Sequence, residues 1–208
     1  MLPLRQERAQ HRYERILEAA LQVFSRRGYR DASIDAIADA AQTSKGGVYF
    51  HFPNKETIFL RLLDRTATRL LAKIDIALLA HDDPIAKADT ALSTVLHTFA
   101  SHRALARLFM VEALGAGREF HHRMAEIREQ FAAVLKRHLD EAVTTGVIVP
   151  LDTDIASRAW FGALNEVLTH WVLTGQPKRL EDAYAGLRPL LLRSVGITPA
   201  ALPAGRKR

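Results

Sequence analysis

The sequence predicts an all-α protein with a three-helix head and a larger helical bundle. Apolar residues recur at intervals of three and four along nearly every segment, which places them on one face of a helix. Glycine and proline separate these segments. The one stretch with a strand-like pattern, Val147-Ile148-Val149, is too short to form a strand. The 208 residues, 48% of them apolar, suffice for a buried core in one large domain or in a small head on a larger body.

The first helix of the head is predicted from His11 to Arg27, after a charged segment that is expected to be mobile. Gly28 follows the last helical position and favours the end of a helix. Tyr29 is expected to pack against the head. The core positions of this helix fall at helical spacing: Ile16, Ala20, Val23 and Phe24.

The stretch from Ser33 to Lys55 predicts a helix-turn-helix followed by the start of a long helix. Ser33 is a favourable N-cap, and a turn follows the first helix at Gln42-Thr43. Ser44 caps a second helix of about seven residues, which ends before Pro53 because the residue preceding a proline avoids the helical region. A helix of this length after a short turn has the size that enters the major groove of DNA.

The residues on and beside the second helix carry the chemistry expected of DNA contacts. Tyr49, His51 and Lys55 have hydrogen-bond donors for phosphate oxygens. Two glycines in so short a helix cost about 1 kcal/mol each relative to alanine, which indicates close approach of the backbone to another molecule. Residues nearer the turn are predicted to approach base edges. The candidate DNA-binding residues are Ser33, Thr43, Ser44, Lys45, Gly46, Gly47, Tyr49, His51 and Lys55.

The net charge of +6 is unevenly placed along the chain. Residues 1–55 contribute half of it and Arg206-Lys207-Arg208 the other half, whereas the body between is balanced. A basic surplus of this kind favours a polyanionic partner, although a solvated surface explains it equally well. Near the N-terminus, Arg5, Arg8 and Arg12 either reach phosphates as a basic arm does or belong to a solvated chain end.

The body is predicted to be entirely helical. A long amphipathic helix runs from Asn54 to about Ala80 and links head and body, and a turn follows at His81 to Pro84. These elements predict a DNA-binding head at residues 1–55, a ligand-binding and dimerisation body at 56–196 and a flexible basic tail at 197–208. The remaining helices are predicted at Pro84–Ser101, Ala104–Leu114, Arg118–Thr145, Asp152–Thr174 and Pro177–Val195.

The large apolar residues of the body either form its core or line a cavity for a small molecule. Four arginines in the same region, Arg103, Arg107, Arg118 and Arg123, either meet an acidic group of that molecule or pair with nearby carboxylates. The candidate ligand-binding residues are Phe99, Phe109, Met110, Phe131, Trp160 and Phe161.

The helix at Asp152–Thr174 predicts a homodimer. Apolar residues cover more than half of its circumference, so it must be covered on two sides. The following helix would complete a four-helix interface around a twofold axis. The candidate interface residues are Ala163, Val167, Trp171, Tyr184, Leu187 and Leu191.

Several classes of function find no support in the sequence. There is no cysteine, and the nine histidines form no helical pair of metal ligands, so neither a metal site nor a cofactor is expected. Phosphate-binding glycine motifs and nucleophile motifs are also missing, so an enzyme is not expected. No apolar run approaches the roughly 18 residues needed to cross a membrane. We therefore expect a soluble, cytoplasmic protein without a membrane partner.

The run from Gly46 to Glu56, GGVYFHFPNKE, resembles the signature of the TetR family of bacterial transcriptional regulators. The preceding alanine-rich helix and the helix at His11–Arg27 match the three-helix head of that family. Two departures stand out. The family usually has a small residue, often glycine, in the turn where this chain has Gln42-Thr43. It often has a hydroxyl residue where this chain has Gly47, so one base contact is lost.

The resemblance implies a dimeric regulator that binds a palindromic operator and carries a small effector in its body. It favours a repressor released by a largely apolar effector. The segment Leu164 to Thr169 is similar to members that respond to fatty-acyl thioesters. Two alternatives remain open: a ligand-independent dimeric DNA-binding protein and a helical-bundle enzyme.

Overall fold

A computed structural model describes residues 4–112 and 117–198 of the chain. No strand occurs in these two ranges, which confirms the all-α prediction. A π-helix, Leu108–Glu112, follows α6, and a 3₁₀ helix, Leu180–Ala183, precedes α9. The α-helices are α1 (Leu4–Asp31), α2 (Ile34–Ala40), α3 (Lys45–His51), α4 (Lys55–Leu78), α5 (Pro84–Ser101), α6 (Arg103–Arg107), α7 (Arg118–Thr144), α8 (Thr153–Thr174) and α9 (Tyr184–Ser194).

The described residues form two compact units. The first unit comprises residues 4–69, 104–112 and 117–124, and the second comprises residues 70–103 and 125–198. The first unit therefore contains α1, α2 and α3, most of α4, and the segment that ends in the first turns of α7. The functional boundary predicted between residues 55 and 56 stays a prediction.

Side-chain caps begin the helices at the positions that the sequence predicts. Ser33 Oγ accepts the amide of Ala36, and Ser44 Oγ accepts the amide of Gly47, both at 3.1 Å. An N-cap of this kind satisfies one amide that the first turn leaves without a partner. The same arrangement begins three longer helices, through Asn54, Asp83 and Asp152.

Three predicted segments differ from the structure. The helix α1 begins at Leu4 and not at the predicted His11, because residues 4–10 are good helix formers without glycine or proline. Gly28 has a left-handed φ of 78° and kinks α1, but the chain is helical again up to Asp31. The last helix was expected from Pro177, whereas a 3₁₀ turn precedes α9. Most of the predicted tail, residues 199–208, lies outside the described residues.

An aromatic cluster forms the centre of the first unit. The ring centroids of Phe24 and Tyr29 lie 5.1 and 4.8 Å from that of Phe59. Phe120, at the start of α7, lies 5.1 Å from both Tyr29 and Phe59. Phe24, Phe59 and Phe120 are buried. Because offset and edge-to-face rings attract beyond their burial, this cluster fixes α1, α4 and the start of α7 against each other.

Polar pairs between distant helices hold the second unit together. Arg188 on α9 donates two hydrogen bonds to Asp89 on α5, at 2.7 and 2.8 Å. Trp160 Nε1 donates to Ser194 Oγ at 2.9 Å and so joins α8 to the end of α9. The bidentate pair has the geometry in which arginine binds a carboxylate most strongly.

Candidate nucleic-acid interface

The helices α2 and α3 are joined by a tight turn at residues 41–44. The amide of Gln42 donates to the carbonyl of Asp39, and that of Thr43 donates to the carbonyl of Ala38, both at 3.0 Å. Gln42 has a φ of 50°, in the left-handed region that favours glycine. The glycine that the family usually has in this turn therefore has a conformational reason, and this chain forms the turn without it.

One side of α3 is anchored in the first unit. Val48 is fully buried, and Phe52, just after the helix, stacks on Tyr13 with a centroid distance of 4.8 Å. The opposite side faces solvent, where Tyr49 is 47% and Phe50 78% exposed. Phe50 is not among the contact residues predicted from the sequence. Its exposure could have been predicted, because it lies two residues after buried Val48 and residues at this spacing point to different sides of a helix.

Most of the predicted DNA-binding residues lie on this exposed side. Ser44, Lys45, Gly46 and Tyr49 are exposed, and Thr43 is half-buried. Lys45 Nζ lies 2.9 Å from Asp35 Oδ2 on α2, and the hydrogen bond to that carboxylate raises the pKa of Lys45. The ammonium is thus already paired within the protein. Contact of these residues with DNA stays a prediction.

The two glycines of α3 have different surroundings. A Cβ at Gly46 would meet one atom, Ser44 Oγ, at an ordinary 3.9 Å. A Cβ at Gly47 would lie 2.5 Å from Thr43 Oγ1. Packing within the chain therefore explains Gly47, and only Gly46 leaves an open approach for another molecule.

This contrast predicts opposite results for two alanine substitutions. Gly46→Ala should raise the free energy of unfolding by about 1 kcal/mol through helix propensity, yet weaken operator binding because the methyl group occupies the approach. Gly47→Ala should lower the free energy of unfolding by about 1 kcal/mol because Thr43 must move. Adding Thr43→Ala to that variant should restore the free energy of unfolding. Urea unfolding and a DNA titration measure both effects. Unchanged operator affinity of Gly46→Ala would show that no backbone approach occurs there.

His51 lies half-buried at the end of α3. Its ring packs near those of Tyr13 and Phe50, with centroids 6.2 and 5.0 Å away. Its Nε2 is buried and has no hydrogen-bond partner among the described residues. Burial, and then the positive charge of Arg12, lower the pKa of His51 below its ordinary value.

This lowered pKa predicts an acid-sensitive first unit. As the pH falls, the unfolded chain protonates at His51 before the folded chain does. The contribution of neutral His51 to the free energy of unfolding is therefore complete above about pH 6.5 and is lost as the pH falls from there toward the lowered pKa of the folded state. His51→Gln should therefore unfold in urea with a smaller difference between pH 7.5 and 5.5 than the wild type, whereas His170→Gln, exposed on α8, serves as the control. Equal pH dependence of wild type and His51→Gln would contradict this assignment.

Lys55 occupies a site that the sequence did not predict. Its Nζ donates to the backbone carbonyls of Tyr29, Arg30 and Ala32 at 2.7, 2.9 and 2.8 Å. It also lies 4.7 Å from the centre of the Tyr29 ring, and burial lowers its pKa. An ammonium has three N–H groups, and all three are used here. Phosphate binding by Lys55 stays a prediction, and it would require the loss of one of these carbonyl partners.

The sequence-predicted ligand and dimer residues are spread over both units. Phe109 and Met110 are buried in the first unit, whereas Phe99, Phe131, Trp160 and Phe161 belong to the second. Trp171, Leu187 and Leu191 are buried within the protomer. Ala163, Val167 and Tyr184 are only half-buried. The roles of all these residues stay predictions.

Two kinds of site are absent from the part of the chain that the structure describes. No three histidine, aspartate or glutamate side chains in residues 4–112 and 117–198 lie together in a way that would hold a metal ion. In the same ranges, no helix is both long and apolar enough to span a membrane.

The capped helix pair, its tight turn and the exposed side of α3 define a helix-turn-helix DNA-binding protein. Comparison with known families agrees. Residues 16–62 match the bacterial regulatory proteins of the tetR family, and residues 81–187 match the tetracyclin repressor-like C-terminal domain. The chain therefore belongs to the TetR family of bacterial transcriptional regulators, which confirms the resemblance carried by Gly46 to Glu56.

Individual relatives cover most of the chain. It is 25% identical over 166 residues to the fatty acid metabolism regulator protein of Bacillus subtilis, across 79% of this chain and 86% of that protein. The solved structure of the fatty acid degradation regulator FadR from Bacillus halodurans shares 28% identity with a TM-score of 0.81, over 86% of this chain and 97% of that one. The structure of FadR from Bacillus subtilis in complex with stearoyl-CoA shares 25% identity, also with a TM-score of 0.81, over 88% and 98%. These relatives are regulators rather than enzymes.

Proposed function

We propose that this regulator is a homodimeric repressor that leaves a palindromic operator when it binds a fatty-acyl effector. The observation that carries this proposal is the similarity to the Bacillus subtilis regulator along nearly the whole chain, because it includes the body as well as the DNA-binding segment. The similar structure of FadR from Bacillus subtilis is a complex with stearoyl-CoA.

The outward side of α8 and α9 supports a dimer. Ile155, Leu173 and Leu190 are between 57 and 66% exposed. A Cβ at Gly162 on α8 or at Gly186 on α9 would meet no atom within 4 Å, so neither glycine is required by packing inside the protomer. An exposed apolar face with glycines suits close contact with a second copy. We therefore propose that the interface is centred on Ile155, Leu173 and Leu190, because Trp171, Leu187 and Leu191 are buried inside the protomer. The half-buried residues Ala163, Val167 and Tyr184 would lie at its edge.

A dimer of this kind presents two copies of α3 to one DNA duplex. Symmetric recognition helices bind half-sites about 34 Å apart or somewhat more, on successive major grooves. Sedimentation at micromolar concentration should show a dimer. A monomer that still binds its operator tightly would refute this part of the proposal.

The helix α4 supports an allosteric release. It begins next to the helix-turn-helix at Lys55, and its last residues, 70–78, belong to the second unit. An acyl chain among Phe99, Phe131, Trp160 and Phe161 of the second unit would displace the part of α4 that belongs to that unit, and with it the recognition helices. A preference of the effector for the displaced state of about 1–3 kcal/mol changes operator affinity about five- to 150-fold, and linkage requires the reciprocal effect.

The test is a pair of titrations. A DNA site is first selected from a random pool with the full-length protein. Fatty acids and their thioesters are then titrated against the free protein and against the protein–DNA complex. Weaker effector binding to the complex, with release of DNA, is the expected result. Equal affinities in both titrations would refute the release mechanism, and failure of every acyl compound to bind would favour a ligand-independent dimeric DNA-binding protein.

A further inference from the structure

A cleft of about 440 Å³ opens on the first unit, between the C-terminal part of α1 and the segment formed by α6 and the π-helix. Arg26, Arg27 and Arg30 line it from α1, and Arg107 and Val111 line it from the opposite segment. A cleft of this size holds a small ligand or the polar part of a larger one. The function proposed above assigns nothing to it.

The described lining of this cleft is rich in arginine. Four arginines line it, and among the lining residues that the structure describes Asp31 is the acid that faces them. Arg26, Arg27 and Arg30 are exposed and have no hydrogen-bond or ion-pair partner among the described residues. Like charges in a concave site repel each other and strengthen the local potential, so an anion stabilises such a site.

The end of α1 alone does not explain this arrangement. A cation in the last turn of a helix is stabilised by the helix dipole, and this accounts for Arg30. It does not account for Arg107, which approaches the same cleft from a different element. That element continues into a π-helix, a feature frequent at functional sites. Guanidinium groups suit phosphate in particular, because their planar fork donates two parallel hydrogen bonds to its oxygens.

We infer that the cleft binds the phosphate groups of an acyl thioester whose carrier is phosphorylated. This inference rests on the proposed fatty-acyl effector and identifies its polar end. Phe109 and Met110 follow Arg107 along the chain and are buried, whereas Val111 lines the cleft. The same short element therefore carries Arg107 and apolar Val111 in the cleft lining, next to a buried apolar pair.

The position of the cleft connects it to the DNA-binding segment. Tyr29 and Arg30 line the cleft, and their carbonyls are two of the three that accept hydrogen bonds from Lys55 at the start of α4. Ser33, the N-cap of α2, follows three residues after Arg30. An anion held by these arginines thus contacts the backbone segment that positions both α2 and α4.

The experiment compares stearoyl-CoA with stearoyl-pantetheine, which has the same thioester and acyl chain but no phosphate. The full-length wild type is compared with the double variant Arg26→Gln, Arg30→Gln. The matched control is Arg179→Gln, Arg193→Gln, which removes two exposed arginines of the second unit. Thermal unfolding of each variant confirms that it is folded.

At low salt the wild type should bind stearoyl-CoA at least about tenfold more tightly than stearoyl-pantetheine, since charged hydrogen bonds contribute at least this much. The affinity of the cleft variant should fall about tenfold for stearoyl-CoA and less than twofold for stearoyl-pantetheine. The affinity of the control variant should be that of the wild type for both compounds. If the cleft variant loses affinity equally for both thioesters, or loses none, the inference is overturned. The proposal of a fatty-acyl effector is then unaffected.

Two further arms separate the remaining outcomes. If neither thioester binds, the proposal of a fatty-acyl effector is wrong, and free CoA then tests the cleft alone. Binding of free CoA to the wild type but not to the cleft variant would support the inference. No binding of free CoA to the wild type would overturn it. If the cleft variant instead loses operator affinity and salt dependence with unchanged stearoyl-CoA affinity, the arginines bind DNA phosphates and the inference is overturned.

Discussion

Replacement of Phe120 by alanine is expected to lower the free energy of unfolding of the first unit by about 3–5 kcal/mol, the usual cost of removing a buried phenylalanine. Phe120 is 1% exposed and contacts two aromatic rings from α1 and α4. Its loss leaves a cavity beside Phe59 and Tyr29 and removes a ring through which α7 contacts this cluster. The helix-turn-helix should then open more often, and operator affinity should fall with it.

Urea unfolding and hydrogen exchange would measure this effect. Amides of α1 and α4 should lose protection more than those of α8 and α9, because the substituted ring belongs to the first unit. Phe50→Ala is the matched control, since it removes the same side chain from an exposed position of that unit and should change stability by less than about 0.5 kcal/mol. Similar stabilities of the Phe120→Ala protein and the wild type would show that the cluster does not hold the unit together.

Replacement of Lys55 by alanine is expected to lower the free energy of unfolding of the same unit by about 3 kcal/mol. Hydrogen bonds to a charged group contribute about 1.5–3 kcal/mol each, and water replaces part of this loss because the site is partly exposed. Arginine should not restore the wild-type stability, since a planar guanidinium does not direct three donors to three converging carbonyls. Lys178→Ala, on an exposed residue of the second unit, is the control.

The Lys55→Ala protein also tests the phosphate contact predicted from sequence. A lysine that neutralises one phosphate contributes about 1 to the slope of log affinity against log salt. If Lys55 only positions α1 and α4, the slope of the folded protein should stay that of the wild type although binding weakens. A slope reduced by about 1, with unchanged stability, would instead support the phosphate contact and contradict the positioning role.

The sequence predicted what depends on neighbouring residues. The caps Ser33 and Ser44 and the end of α3 before Pro53 follow from interactions within three or four residues. It did not predict what depends on distant ones. The carbonyls bound by Lys55 are 23 to 26 residues away, and Arg188 and Asp89 are 99 apart.

Prediction of the candidate site from the sequence was limited in the same way. The exposed side of α3 was found from its pattern, but the cleft arginines come from two elements whose packing has no local signal. The reason for Gly47 also depends on the conformation of Thr43, which residue types alone do not give.

The ion pair between Lys45 and Asp35 has a consequence for how ionic strength acts on this regulator. Binding to DNA usually gains affinity by releasing the cations condensed on its phosphates. Asp35 already serves Lys45 as a built-in counterion. If Lys45 contacts the DNA as predicted, it has to leave Asp35, and the freed carboxylate then lies near phosphates that repel it. Lys45 would then add less affinity, and less salt dependence, than a count of basic residues suggests.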